Sequence, residues 1–391
     1  MKIGLVLPDA PKYSETFFNN KIKNLIAAGF EVAVFGGKRN REKYFFKKYP
    51  PYPVYENNYL KQIPSFVYVI LKTFLKTPGR TIKLYSKERL DGNSAYNSMK
   101  TIYLNAHILA HKLDWLHFGY ATTALKRENV ASAIGAKAGV SFRGFDINVY
   151  PLKNPGCYDK LWKNIDKVHC ISDYLYKKAL LLGLNEKTPY EKISPAIDVK
   201  LFEFKSNAGK INSPVRILSV GRLNWVKNFE TAISIMKILT DKGIDVRYEI
   251  TGAGTELERL KFAVYQFGLE EKVNFHGQVD QKKIKELMSK SDIYMQPSYQ
   301  EGFCVSVIEA QATGLLCVVS DADGLKENIV DGYTGWVIPK RDPGKFAEKI
   351  EEIINLPDEK RLEIALNARS RVEKHFNLED QKEKFTNFFK E

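Results

Sequence analysis

Short apolar runs alternate along the chain with longer segments whose apolar positions recur every three or four residues. In the first half the runs are KIGLVLP (2–8), EVAVFGG (31–37), DWLHFG (114–119), AGVSFRG (138–144), KVHCIS (167–172) and EKISPA (191–196). In the second they are VRILSVGR (215–222), DVRYEITG (245–252), KVNFHGQ (272–278), DIYMQPS (292–298), CVVSD (317–321) and GWVIP (335–339). Strand-length runs separated by helical pattern predict parallel α/β sheets. Runs that are apolar nearly throughout, such as IGLVL, predict sheets covered on both faces. The rhythm occurs twice, so the chain reads as two doubly wound domains, as its 391 residues also suggest. FEFKSNAGKINSPV is polar, contains Gly and Pro and has no period. It reads as a linker near 203–214, giving domains 1–205 and 206–375, with a final helix about 376–391 expected to pack back onto the first.

Composition narrows the class of protein. Pro8 ends the first apolar run too early for a signal peptide. In SFVYVILKTFL, Lys72 interrupts the run after six apolar residues, against roughly 20 needed to cross a bilayer. Cys157, Cys170, Cys304 and Cys317 form no CxxC pairing, so reduced thiols in a cytoplasmic protein are expected, without disulfides or zinc.

The net charge of +14 is unevenly placed. Residues 1–210 hold 34 Lys and Arg against 17 Asp and Glu, and residues 211–391 hold 26 against 29, so the halves carry +17 and −3. The excess suits an anionic membrane face or an acidic acceptor, or is simply a lysine-rich solvated surface. No recognisable nucleic-acid module accompanies it, which argues against that partner. Residues 36–100 interleave lysines with aromatic and apolar residues. This reads either as a membrane-facing region or as an amphipathic helix pair packed on its own sheet.

The chemistry concentrates between 219 and 339. In SVGRLNWVKN, Arg222 and Lys227 follow a strand, at the edge where open α/β sheets bind ligands. Two cations there suit a diphosphate; two solvated surface charges are the plainer reading. In EITGAGTELERL, Gly252 and Gly254 permit a ligand to approach backbone N–H groups, and equally a simple strand-to-helix turn. In SDIYMQPSYQEGFCVSVIEAQATG, Glu301 stands in a loop and Glu309 in the helix that follows. Gly302 loosens the loop, and the N–H groups around Phe303, Cys304 and Val305 form a helix start suited to an anion. Two ionised carboxylates at different distances from the phosphates can take the hydroxyls of a sugar and of a ribose.

The segments VGRLNWVKN, ITGAGTELERL, VNFHGQV and EGFCVSVIEAQATGLLCVVSDADGLKENIVDGYTGWVIP resemble the donor half of retaining glycosyltransferases of family 4. That family's Glu, seven residues, Glu spacing is matched by Glu301 and Glu309. The resemblance implies the GT-B fold, two Rossmann-like domains facing a central cleft, and a nucleotide diphosphate sugar as co-substrate with no other cofactor and no metal. It places the diphosphate on Arg222 and Lys227, the ribose on Glu309, the transferred sugar on Glu301, and the base near Gly277, Gln278 and Val279. It also implies retention of anomeric configuration, the acceptor attacking from the leaving-group face.

In the first half, PKYSETFFNNKI and LHFGYATTA resemble a branch that assembles polysaccharides, implying a glycan or lipid-linked acceptor and a peripheral place at the inner membrane face. Where many relatives carry paired glycines after the first strand, this chain has PDAPKYSETF, so backbone contact to the phosphates is either arranged differently or supplied by Ser14, Glu15 and Thr16. By the same resemblance His117 is the active-site histidine, facing the cleft; taken alone it reads as a strand-end residue. Arg143 replaces a common histidine and is expected to meet acceptor or phosphate. Asp321 and Asp323 mimic a metal-binding DxD, but fall in a turn of the family's fold. A nucleotide-sugar epimerase or hydrolase on the same architecture, and a non-catalytic nucleotide-sugar binder, are the alternative readings.

Overall fold

A computed structural model describes residues 1–11, 16–38 and 42–390. The chain forms two compact units, Met1–Ile193 with Lys382–Glu391, and Ser194–Gln381.

The first unit holds seven strands: β1 (Lys2–Val6), β2 (Glu31–Phe35), β3 (Lys47–Tyr49), β4 (Trp115–Phe118), β5 (Lys137–Phe142), β6 (Lys167–Cys170) and β7 (Tyr190–Lys192). They are parallel throughout, in the order β3-β2-β1-β4-β5-β6-β7. The sequence pattern missed β3. It is a three-residue edge strand bearing Lys47 and Lys48, and charge on a short edge is what keeps such an edge from pairing with other chains. Residues 59–109 form three helices, Tyr59–Lys76, Pro78–Leu90 and Ala95–Leu109.

The final helix, Leu378–Lys390, carries Phe385, Phe388 and Phe389 into the core formed by Ile3, Leu5, Val34 and Trp115. The i, i+3, i+4 spacing sets all three rings on one helical face. Each fully buried Phe is worth roughly 2–3 kcal/mol. The last helical carbonyls have no partner within a helix; here Trp115 Nε1 donates to Phe389 O at 2.9 Å and Lys167 Nζ to Phe388 O at 3.1 Å.

The second unit holds β8 (Val215–Val220), β9 (Val246–Thr251), β10 (Val273–Gly277), β11 (Ile293–Gln296), β12 (Leu316–Ser320) and β13 (Trp336–Ile338). The parallel order is β10-β9-β8-β11-β12-β13. Side chains alternate between two cores: Ile217, Ile293, Met295 and Val318 on one face, Leu218, Tyr294, Cys317 and Val319 on the other. Both faces are covered, which is why these strands read as unbroken apolar runs.

The boundary lies earlier than the polar segment suggested. Ile197 and Phe202 belong to the second unit's core, and Ile197 N–H donates to Phe376 O at 2.9 Å. The expected linker is itself packed. Ala208 is buried, Arg361 Nε donates to Gly209 O at 2.7 Å, and a Cβ on Gly209 would lie 2.7 Å from Leu362 N. A segment can be polar without period and still pack, because its backbone at Gly209 and isolated side chains such as Phe204, Ala208 and Ile211 make the contact.

Candidate functional site

In the second unit the order reverses between β8 and β11, and ligands of open parallel sheets bind beyond the carboxyl ends of the strands at such a point. The loops leaving β8 and β11 carry the predicted cations and Glu301. After β8 the chain runs through Gly221 and the exposed Arg222 into a short turn, Trp225–Lys227. The Lys227 stem crosses Gly221, where a Cβ would stand 3.2 Å from Lys227 Cε. Asn228, in the left-handed region at φ 56°, closes the turn, and its Nδ2 donates to Pro297 O at 3.0 Å. Tyr299 N–H donates to Val226 O at 2.8 Å, so the two loops are tied by backbone as well.

Lys227 Nζ lies 2.5 Å from Glu301 Oε1, with both side chains largely shielded from solvent. Ser298 Oγ donates to the same carboxylate oxygen at 3.1 Å, and Lys227 Nζ is 3.9 Å from Cys304 Sγ. Burial works against the ammonium, but the Cys304 sulfur and the Glu301 carboxylate more than offset it, so Lys227 titrates above the ordinary lysine range. Burial pushes the Cys304 thiol up. The sulfur therefore stays protonated at neutral pH, where Glu301 is the anion that faces Lys227 and the thiolate contributes only at higher pH.

Glu309 sits on the helix Val305–Thr313. Burial alone pushes its carboxyl up to about 7, and among the described residues its carboxylate has no hydrogen-bond or ionic partner. A desolvated carboxyl without a donor is poised to accept hydroxyls from a ligand.

The helix start is more occupied than the sequence suggested. Cys304 N–H donates to Asn328 Oδ1 at 3.2 Å and Asn328 Nδ2 returns a bond to Cys304 O at 2.9 Å, so that amide is spent inside the protein. Phe303 packs edge-on against Phe376, with ring centroids 5.4 Å apart, Gly302 is buried and Val305 is exposed. What fixes the helix start beside β8 is a polar pair that sequence reading passed over. Tyr294 OH donates to Ser306 Oγ at 2.7 Å, and Ser306 Oγ to Val220 O at 3.2 Å. The signal was present in DIYMQPS, where Tyr294 and Gln296 interrupt a fully buried strand and so require partners.

Gly252 and Gly254 are required by the close packing of two loops. A Cβ on Gly252 would stand 1.8 Å from Gly221 O, and one on Gly254 2.1 Å from Leu223 O. The Cβ side of both glycines is filled by the neighbouring loop. Gly221 N–H donates to Thr251 O at 2.9 Å, Leu223 to Ala253 O at 3.0 Å, and Gly252 to Gly277 O at 2.9 Å. The glycines thus lace the ends of β8, β9 and β10 together and set where Arg222 emerges. Gly277 has φ 67°, Gln278 is exposed and Val279 half-buried. His276 pairs with Glu249 Oε2 at 2.6 Å. Asp321 Oδ1 accepts from Lys340 N–H at 2.8 Å, and the described residues contain no group of three His, Cys, Asp or Glu able to hold a metal.

Of the residues predicted in the first unit, Ser14 and Glu15 lie outside the described residues, and Thr16 opens the helix Thr16–Ala27. His117 is not exposed to a cleft. It lies within β4 at 0% exposure, edge-on to both the Phe388 and Phe389 rings at 5.5 and 5.3 Å. Its Nε2 meets Lys21 Nζ at 3.1 Å and Ser141 Oγ at 2.8 Å; Ser141 Oγ continues to His169 Nδ1 at 2.8 Å. Burial, then the neighbouring Lys21, holds the imidazole well below its usual range, so it is neutral. One residue's difference along a strand turns a side chain to the opposite face, and His117 faces the side covered by the first and last helices. Arg143 is half-buried, its guanidinium stacked on Phe17 at 4.0 Å and Phe18 at 4.7 Å. Its Nε and Nη2 are buried without a hydrogen-bond partner among the described residues.

Two Rossmann-like α/β units of this order make the GT-B fold. The structure resembles sucrose-phosphate synthase from Thermosynechococcus elongatus with a TM-score of 0.75 at 17% identity, covering 100% of this chain and 98% of that one. Residues 202–371 match the family described as glycosyl transferases group 1. The protein is a glycosyltransferase. It is 28% identical to the amylovoran biosynthesis glycosyltransferase AmsK of Erwinia amylovora over 96% of both chains. It is also 27% identical, over 58% of each chain, to the UDP-Gal:alpha-D-GlcNAc-diphosphoundecaprenol alpha-1,3-galactosyltransferase of Escherichia coli. No helix among the described residues is long and apolar enough to cross a membrane.

Proposed function

We propose that the protein transfers a sugar, with retention, from a nucleotide diphosphate sugar to a lipid-linked or polymer glycan acceptor in surface polysaccharide assembly. The observation that carries this is the Lys227–Glu301 pair at the β8/β11 edge, with Glu309, on the helix that follows the Glu301 loop, holding a carboxyl that has no partner among the described residues. Arg222 and Lys227 take the diphosphate, Glu309 the ribose hydroxyls and Glu301 the transferred sugar, with Gly277, Gln278 and Val279 beside the base. As the anomeric bond breaks, negative charge grows on the diphosphate, and fixed cations at that point stabilise the transition state without reorganising. No metal or further cofactor is needed in this scheme, since two side-chain cations and the helix start supply the positive field.

The names of the AmsK and galactosyltransferase relatives favour polysaccharide assembly and a diphosphate-lipid acceptor. A lipid-linked acceptor places the enzyme at the inner face of a membrane, where the +17 of residues 1–210 is of the right sign.

The test is a thermal-shift screen with UDP, GDP, ADP and their sugar conjugates on the wild type, Lys227→Ala and Glu309→Ala. A matching nucleotide at 100 times its dissociation constant adds roughly 2.7 kcal/mol to wild type and little to either variant. A nucleotide that shifts all three proteins equally, or none that shifts wild type, rules out this donor site.

A further inference from the structure

The helix Tyr59–Lys76 turns an apolar stripe outward. Leu60, Ile63, Val67, Leu71 and Leu75 recur at intervals of three and four, a single helical face, and all five are exposed, Leu60 at 90% and Leu75 at 84%. Tyr59 and Tyr68 are exposed with them. The helix is anchored by its other side. Val69, Ile70 and Thr73 are buried, Phe66 stacks on Tyr103 at 5.4 Å, and Ser65 Oγ meets Tyr103 OH at 3.1 Å. The stripe is therefore surplus to the fold. Burying five such side chains elsewhere would be worth several kcal/mol, and soluble proteins seldom leave so large an apolar face in water without a partner.

The charges on the helix select that partner. Lys61, Lys72 and Lys76 are its only ionisable groups other than tyrosines, and it carries no Asp or Glu. On a helical wheel they fall on one flank of the apolar stripe, beyond Tyr68. Lys72 Nζ reaches back to Tyr68 OH at 3.2 Å, which sets a cation over an aromatic hydroxyl at the border between the apolar and polar faces. The next helix continues the excess with the exposed Lys83. An apolar face bordered by lysines, with aromatics where the two meet, is the geometry of a helix lying in the interface of a bilayer.

We infer that Tyr59–Lys76 is the docking element of this protein for an anionic lipid bilayer, lying parallel to the surface with Leu60, Ile63, Val67, Leu71 and Leu75 among the acyl chains and Lys61, Lys72 and Lys76 at the headgroups. The inference deepens the proposed function, since a lipid-linked acceptor must be met at a membrane. It stands or falls by itself, because the nucleotide screen reports on the second unit and the docking on the first.

The experiment is flotation of the full chain with vesicles of phosphatidylcholine alone and of phosphatidylcholine with phosphatidylglycerol, for the wild type and for the combined Leu60→Gln, Leu71→Gln, Leu75→Gln variant. All three positions are solvent-exposed, and an unchanged melting temperature and nucleotide response shows that the variant is folded. Wild type is expected to partition onto the anionic vesicles and to be released by salt. The triple variant should lose at least about tenfold in partitioning, and Lys61→Ala or Lys76→Ala about fivefold each. Failure of wild type to float at low ionic strength overturns the inference, as does flotation of the folded triple variant at the wild-type level. A wild-type dimer that the triple variant converts to monomer assigns the stripe to a second copy of the chain and overturns it equally.

Discussion

Lys227 Nζ and Glu301 Oε1 stand 2.5 Å apart although one leaves the end of β8 and the other the end of β11. The pair holds a cation at the switch point of the sheet before any ligand arrives, and Ser298 Oγ fixes the carboxylate from behind. A diphosphate entering there finds the ammonium already desolvated and oriented, which is the preorganisation that electrostatic catalysis requires.

Substituting Lys227→Ala is accordingly expected to lower kcat/KM on the order of 100-fold or more. Lys227→Arg, whose planar fork cannot reproduce a point charge against one carboxylate oxygen, should rescue only part of it. Steady-state kinetics with the nucleotide sugar found in the screen decides the matter. Full activity in Lys227→Ala would remove the cation from the mechanism.

Glu309 gives a pH signature. Its folded carboxyl is pushed up to about 7 by burial, from 4.5, so the folded state favours the protonated form. Its contribution to stability is complete below the unfolded pKa and is lost as pH rises through about 7. In the proposed ribose contact the hydroxyls donate to the ionised form, so nucleotide affinity should rise as pH passes upward through about 7, by up to tenfold per pH unit below it. Calorimetry in buffers of different ionisation enthalpy should show a proton released on binding. In Glu309→Gln both the slope and the released proton should vanish; a slope that persists assigns it elsewhere.

Because His117 is enclosed by Lys21, Ser141 and two phenylalanine rings, His117→Gln should act on folding. A loss of about 1–3 kcal/mol in denaturant unfolding is expected, since the buried groups around it lose their hydrogen-bond geometry. Nucleotide affinity, which the proposed function assigns to the second unit, should not change. Unchanged stability with turnover abolished would return His117 to a catalytic role.

The glycines of the donor unit separate by what surrounds them. Gly252→Ala sets a Cβ 1.8 Å from Gly221 O and must displace the loop that carries Arg222, so both stability and nucleotide affinity should fall. Gly277→Ala meets no atom within 4 Å but keeps a left-handed backbone at φ 67°, and should cost only about 1–2 kcal/mol of stability. Melting curves with and without nucleotide distinguish the two cases. Equal effects would mean that the β8–β9 lacing does not control the site.

Much of the architecture could be read directly from residues. Runs such as VRILSVGR and DIYMQPS stand out because parallel strands covered on both faces must be apolar almost throughout, and the glutamates Glu301 and Glu309 keep their spacing because loop and helix are contiguous in the chain. Local order and contiguous spacing are properties of sequence. β3 escaped because three residues with two lysines have no period to detect, and the packed segment around Gly209 escaped because its contacts come from backbone and from isolated side chains that follow no period.

What the chain alone could not decide was which way side chains face and which backbone groups are already taken. His117 was legible as a residue next to a strand end, yet whether its ring meets a ligand or the last helix depends on Phe388 and Phe389, some 270 positions away. The amide of Cys304 looks free until Asn328 reaches it, and the Cβ side of Gly252 looks open until Gly221 fills it. Composition announced a lysine-rich, aromatic stretch before residue 100; only packing showed that Tyr59–Lys76 buries one face and leaves Leu60 to Leu75 outward. The reason is the same in each case: helix and strand periods are fixed by local geometry, whereas burial and hydrogen-bond occupancy are settled by partners that only the folded chain brings near.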